Sequence, residues 1–431
     1  MKRQIFTGAT SFRLRYLKIF CIGFLFVSLH ACISSVVVEE APKRSILFYI
    51  GTDTNGLDNG SAGDEPRNMI NAIRAGWIPG RGEMLIYTDQ TNRKPCLLRI
   101  NGTRSAVDGL YGIDTVYPYP EENSADAAVL SRVIHTVVSE FPADNYGMLF
   151  FSHASGWLPA GMLAAPRSLI IDNGDGIPKE MEYDDFAAAI PDKQFDFIIF
   201  DACFITDVMM MYELRHKADY ILASSAEIVS PGFTPVYKNN IMRLYDTKSP
   251  VTTVVAGFAQ SYMDYVKNSF PEDDIYCSAT LGIVNMSEMQ NLATTVKTAL
   301  NGVMIDESTL TVDSIQRFDR PKYNRNNLIT SGQRSIRYSD FGHIMESLVT
   351  DKLISDTHYA AFQAQMEKTV VWKANTKRFL LRNLPDGTPD YAEYDGFFIE
   401  HHSGLSAYIE QDVYPVLNSA CQNSSWYKAI Y

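Results

Sequence analysis

Short apolar runs that stop abruptly in polar or glycine-rich segments recur through the first half of the chain. Phe197-Ile198-Ile199-Phe200 runs straight into Asp201-Ala202-Cys203, and Gly147-Met148-Leu149-Phe150-Phe151 runs into Ser152-His153-Ala154-Ser155-Gly156-Trp157. Continuous apolar runs this short predict strands buried on both faces, as in a parallel sheet. Ile46-Leu47-Phe48-Tyr49-Ile50, closed by Gly51, predicts a first strand; Glu83 to Thr88 and Tyr220 to Ser225 predict two more. Between them the apolar spacing turns helical. Asp64 can cap a helix from Glu65 to about Ala75. Ser124 or Asp126 opens another, with Val129, Val133, Ile134, Val137 and Val138 near helical spacing, ending before Pro142. A further helix starts near Glu182, and one containing Met209, Met210 and Met211, which fit core filling, runs to about His216. Strands alternating with helices are the signature of a parallel α/β sheet.

Beyond Lys248 the helical patterns lengthen: Val251 to Val266, Ser287 to Leu300, Phe341 to Leu353 and Tyr359 to Trp372. Ala279 to Val284 and Leu405 to Ile409 are strand-like and are expected to rejoin the sheet, so this helix-rich half completes the fold of the first. Asp172-Asn173-Gly174-Asp175-Gly176 lacks the oxygen spacing of an EF-hand loop and predicts a turn. The basic stretch from Arg317 to Asn327 predicts a solvated surface loop. The organisation expected is residues 1–31 as a signal peptide, 32–44 as a tether, 45–248 as the main α/β domain and 249–431 as the portion completing it.

Composition changes the picture at the N-terminus. The chain has 431 residues and a formal net charge of -12. Residues 1–31 carry Lys2, Arg3, Arg13, Arg15 and Lys18 and no acid, so the remainder stands at -17. Such a body repels phosphate backbones, which argues against nucleic acid as a partner. The apolar run from Ile19 to Leu29 is too short to span a bilayer stably and fits a secretory signal. It stops at Leu29-His30-Ala31-Cys32, which resembles the end of a bacterial lipoprotein signal. Cys32 would then be the lipidated first residue, giving an envelope location with membrane contact through a lipid anchor. With Cys32 acylated and Cys203 free, Cys96, Cys277 and Cys421 remain, an odd number that argues against a disulfide framework.

His153 and Cys203 follow two predicted strands, where open α/β sheets place their ligand sites. Alone, Cys203 reads as a small buried hydrophobe and His153 as a loop residue bonded to backbone. Together, a histidine about 50 residues before a cysteine matches the arrangement of caspases. With Ser152-His153-Ala154-Ser155-Gly156-Trp157, Asp201-Ala202-Cys203, Ile46 to Asp53 and Gly404 to Ile409, the chain resembles the clostripain family of cysteine peptidases over roughly residues 45–431. It departs at Ala154, where the pattern has glycine, and at Ser230-Pro231-Gly232-Phe233-Thr234, which lacks a Gly-Trp after the Pro-Gly.

The resemblance implies a caspase-like fold and a catalytic dyad. A Cys203 thiolate would attack the peptide carbonyl, and His153 would protonate the leaving amine and later activate water. Backbone N–H groups of Ala154 and Cys203 would hold the oxyanion. Asp201 would help form a pocket for Arg or Lys ahead of the scissile bond, or else bond loop amides. Glu227, on the loop after the next strand, would add a second carboxylate. Asp53 and Asn55 border the same sheet edge or form a turn. No cofactor is expected; the family raises calcium, for which the sequence supplies no site. Protein or peptide is the expected partner, and the chain is expected to act as a monomer. The competing reading is a catalytically silent surface lipoprotein that binds peptides or proteins.

Overall fold

A nine-stranded mixed sheet divides the apolar residues of the described chain into two cores. The computed structural model describes residues 43–51, 64–90, 93–160, 170–172, 179–320 and 336–431. The strands are β1 (Arg44–Gly51), β2 (Met84–Gln90), β3 (Arg93–Arg104), β4 (Tyr111–Pro118), β5 (Asn145–Phe151), β6 (Phe195–Asp201), β7 (Ala218–Ala223), β8 (Thr280–Asn285) and β9 (Val370–Asn375). Their spatial order is β9-β8-β7-β6-β5-β1-β2-β3-β4. The five central strands from β7 to β2 are mutually parallel. The outer strands β8, β9, β3 and β4 each pair antiparallel with their neighbours. Successive side chains of a strand point to opposite faces, and the two cores follow that period. Ile46, Phe48 and Ile50 enter one core, Leu47 and Tyr49 the other.

Helices cover both faces, as a central parallel sheet requires. Glu65–Gly76, Thr234–Asn240 and Val251–Ser269 pack on the first face. Ala127–Glu140, Val208–Glu213, Met289–Leu300 and the later helices pack on the second, where Met209, Met210 and Met211 are buried as expected of core filling. Gly147 lies opposite Phe197 in the β5/β6 register, and a Cβ there would stand 2.4 Å from the Phe197 ring. A side chain there would displace that ring, so the position is kept bare. At the amino edge, Arg44 is buried but fully engaged, donating to Asp196 (Nε 3.0 Å, Nη2 2.7 Å) and to the Leu244 carbonyl at 2.7 Å. Partners of this kind are what make a buried charge tolerable.

Several elements differ from the sequence expectation. The hairpin β3–β4 extends the sheet through a stretch in which the apolar pattern marked no strand. Its outer strands are half-exposed and carry polar residues, so the contrast is weak. The helix expected to reach Trp372 ends at Thr369, and Val370–Asn375 becomes β9. Thr369-Val370-Val371 is β-branched and stiff at χ1, which favours the pleated edge over a further helical turn. Leu405 to Ile409 does not rejoin the large sheet; Ser406–Ala407 instead pairs with Ser339–Asp340 in a separate two-stranded ribbon. Ala279 to Val284 does rejoin it, as β8. Pro42–Tyr431 forms one compact unit. Among the described residues no helix is long and apolar enough to cross a membrane.

Candidate active site

The parallel pairing of β5 with β6 levels the two loops that carry the candidate dyad. Phe151 is the register partner of Asp201. His153 and Cys203 therefore each stand two residues beyond a paired position, at the carboxyl edge of adjacent central strands. Their loops touch: Gly156 has φ 62°, and a Cβ there would lie 2.4 Å from the Phe204 carbonyl oxygen. Only a residue without a side chain permits that approach.

Cys203 lies in a turn beyond the end of β6 and is partly buried. The backbone after it is pinned to the strand-end loop of β7, with Phe204 N–H donating to Ala226 O at 3.0 Å and Ile205 N–H to Ser224 O at 2.9 Å. Ile228 N–H donates to Cys203 Sγ at 3.3 Å. Phe204 itself adopts φ 61°, a left-handed conformation costly for a bulky residue, and strain of this kind concentrates at functional sites.

The His153 loop is roofed by the C-terminal half. Tyr338 stacks on Phe204 with ring centroids 4.4 Å apart, and its hydroxyl donates to Ser155 O. Trp157 is buried, packs on Tyr408 at 4.9 Å and donates from Nε1 to Arg337 O at 3.4 Å. Nothing in the sequence pattern singled out Tyr338 or Arg337, whose partners lie some 180 residues away. Ala154 is buried in the second core and does not adopt a positive φ, so an alanine fits where the family pattern has glycine.

The strand alternation that would put Asp201 on the same face as Cys203 does not extend that far, because β6 ends at Asp201. The carboxylate points with Phe197 and Ile199 towards the first core, while Cys203 packs against the second. Asp201 Oδ2 accepts from Phe233 N–H at 2.9 Å, the loop-bonding arrangement. Gly232 has φ 57°, and a Cβ there would stand 2.4 Å from Asp201 Oδ1. Burial pushes the Asp201 carboxyl up to about 8; the Phe233 N–H opposes this and Glu65 adds to it.

Glu227 is paired with Arg320, from the stretch expected to be a solvated loop. Phe318, Asp319 and Arg320 are instead buried; Asp319 pairs with Arg337 at 2.9 Å and Arg317 with Asp395 at 3.3 Å. Asp172, considered above for calcium, is buried and accepts at Oδ2 from the Ser124 N–H and, at 2.7 Å, from its hydroxyl. That ties the carboxylate to the start of the Ala127–Glu140 helix. Cys32, Asp53, Asn55, the turn residues 173–176 and the basic residues 321–327 lie outside the described residues.

Among the described residues one group, His343, Glu346 and His401, brings metal-type donor atoms within 4.8 Å of one another. His343 Nδ1 accepts from Gln316 N–H at 3.0 Å, which leaves a neutral ring with its proton on Nε2 and no lone pair to offer a cation. Its ring stacks on His401 at 3.7 Å, and His401 Nδ1 lies 3.4 Å from the Glu346 carboxylate. Burial and the neighbouring His401 hold the His343 imidazole below the usual histidine range, consistent with the neutral form. The group is a hydrogen-bonded cluster rather than a metal-ligand set.

The family model of the clostripain family matches residues 52–416. A structure described as an inactive zymogen C11 protease from Parabacteroides distasonis superimposes with a TM-score of 0.69 at 25% identity, covering 91% of this chain and 99% of that one. A secreted C11 cysteine protease from Bacteroides thetaiotaomicron in complex with an irreversible peptide inhibitor gives a TM-score of 0.70 at 23% identity, covering 90% and 99%. No curated protein matches the chain.

Proposed function

Because the chain belongs to the clostripain family of cysteine peptidases, we propose that it is an endopeptidase working through a His153–Cys203 dyad and cutting after Arg or Lys. The observation that carries the reading is the shared register: Phe151 pairs with Asp201, and the two functional side chains follow at equal offsets on one sheet edge. Cys203 acts as the nucleophile and forms a thioester with the acyl half of the substrate. His153 supplies the proton that lets the amine leave, then takes one from the water that hydrolyses the thioester. The N–H groups of Ala154 and Cys203 are assigned to the developing oxyanion. Asp201, two residues before Cys203 in the chain, is assigned to a basic side chain ahead of the scissile bond.

Residues 1–31 are proposed as a lipoprotein signal peptide and Cys32 as the lipid-bearing residue, which would anchor the peptidase in a bacterial envelope as a monomer. Cys32→Ser should release the protein from the membrane fraction or leave the precursor uncleaved; a mature Cys32→Ser protein still bound to membranes would refute the assignment. The peptidase itself is tested on residues 33–431 with fluorogenic peptides bearing Arg, Lys or Asp before the reporter amide. Turnover that vanishes in both Cys203→Ala and His153→Ala supports the dyad. A folded wild-type protein that cleaves none of them returns the case to the silent, peptide-binding lipoprotein.

A further inference from the structure

A carboxylate beside the candidate nucleophile already carries a guanidinium from the chain itself. Glu227 sits between Ala226, whose carbonyl accepts from Phe204 N–H, and Ile228, whose N–H reaches Cys203 Sγ. Its Oε2 accepts from Nε of Arg320 at 3.1 Å and from Nη2 of the same residue. Arg320 Nη1 donates to Tyr394 O at 3.1 Å. Only 10% of the Arg320 side chain and 15% of Glu227 are exposed, so water screens the pair weakly. The neighbouring Asp319–Arg337 and Arg317–Asp395 pairs fix the backbone on which Arg320 sits. It is a held cation, unlike a long surface side chain that samples many rotamers.

A carboxylate that accepts two N–H groups from one guanidinium has its charge locally compensated. A second cation brought to it would gain the attraction of Glu227 and meet the repulsion of Arg320 at similar range. We infer that Arg320 is a specificity-determining residue: it neutralises Glu227, so the site reads a basic substrate side chain with fewer carboxylates than it contains. Loss of the Arg320 charge would recruit Glu227 to that reading. The inference rests on the peptidase function proposed above and concerns the same site.

The test uses two peptidyl acyloxymethyl ketones, identical except for arginine or its uncharged isostere citrulline next to the reactive group. Each alkylates a reactive Cys203 by displacing its carboxylate leaving group, so the rate ratio needs no turnover. Arg320→Gln is expected to raise the arginine-over-citrulline ratio about tenfold or more, which is the worth of one additional charge-assisted contact. Arg320→Lys, which keeps the charge, should retain the wild-type ratio, and Glu227→Gln, which leaves the Arg320 cation uncompensated, should lower it. The Arg320→Gln/Glu227→Gln double variant should return to it. An unchanged ratio in a folded, labelled Arg320→Gln protein overturns the inference. So does a lowered ratio in the double variant, since Glu227 would then have been reading substrate with Arg320 in place; that variant leaves neither charge unpaired and decides the matter if Arg320→Gln alone fails to fold. If neither probe labels Cys203 in the folded wild-type protein, the peptidase reading falls and takes the inference with it.

Discussion

Arginine preference should rise with pH through the titration of Asp201, and the size of the rise follows from its environment. The carboxyl is buried, receives one N–H from Phe233, and is held at about 8 because burial outweighs that bond. At pH 7 about one enzyme molecule in ten then carries the charge, and at pH 9 about nine in ten. A charge-assisted contact with an arginine side chain is worth roughly 1.5–3 kcal/mol, or about one to two decades of discrimination. Ionising the acid at pH 7 consumes about one of those decades. Discrimination at pH 7 is therefore expected between about twofold and tenfold, and near its full value above pH 9.

The assay is kcat/KM from pH 6 to 9.5 on a matched pair of peptides with arginine or citrulline before the scissile bond. Such profiles report the free enzyme, and titration of His153 and Cys203 cancels in the ratio. The ratio should climb about five- to ninefold between pH 7 and pH 9 for a contact of that strength. In Asp201→Asn it should be low and flat. Stability supplies the control. A carboxyl whose folded-state value lies above the unfolded one contributes stability at pH values below about 4, and this is lost as pH rises towards 8. Asp201→Asn should thus melt no lower than wild type relative to its own pH 5 value when moved to pH 8. A wild-type ratio constant within about twofold over the whole range would leave Asp201 as a loop-bonding residue only. A rise that persists in Asp201→Asn would assign the titration to a different group.

Two further outcomes follow from the roof of the site and from its buried acids. Tyr338→Phe removes the hydroxyl that donates to Ser155 O. The Ser155 carbonyl keeps the longer bond from Leu158 N–H at 3.4 Å, so losing the hydroxyl should cost about 0.5–1.5 kcal/mol by denaturant unfolding, with a fall in kcat/KM; unchanged stability would mean the loop relaxes to another donor. Asp207, buried with Oδ1 accepting from Met209 N–H at 2.9 Å and with no hydrogen-bond partner on Oδ2 among the described residues, is pushed well up by burial. Its contribution is present below about pH 4 and is lost as pH rises, so the melting temperature of Asp207→Asn should gain on wild type between pH 5 and pH 8. A gap that moves the other way would mean the native protein holds Asp207 ionised.

The central sheet was legible because its strands are buried on both faces. Runs such as Phe197–Phe200 and Gly147–Phe151 have no polar positions to blur them, and the ends of those runs carried the candidate chemistry. Legibility failed where burial is one-sided or bought by pairing. The β3–β4 hairpin alternates weakly because one side meets water. The Arg317–Arg320 stretch looks solvated by composition, yet each of its three charges finds a partner remote in sequence, at Asp395, Arg337 and Glu227. Composition records charges and not their partners. The same-face geometry expected of Asp201 and Cys203 failed differently: it assumed a strand two residues longer than the real one, and the chain turned before Cys203.

That turn also explains why the C-terminal half cannot be a detachable module in this fold. Once β6 ends, the segment from Cys203 to Thr206 is no longer held by ladder partners on both sides. It is fixed instead by Ser224 and Ala226 on one flank and, through Thr206 O accepting from Ser406 N–H at 3.0 Å, by the ribbon of Ser406–Ala407 on the other. Tyr338, beside the second strand of that ribbon, stacks on the strained Phe204 and reaches across to the His153 loop. Both loops of the candidate dyad are thereby braced by residues more than 130 positions downstream. Local strain at Phe204 persists only where surrounding contacts over-determine it, and in this chain the ring stack and the second flank come from the half of the sequence that contributes no dyad residue.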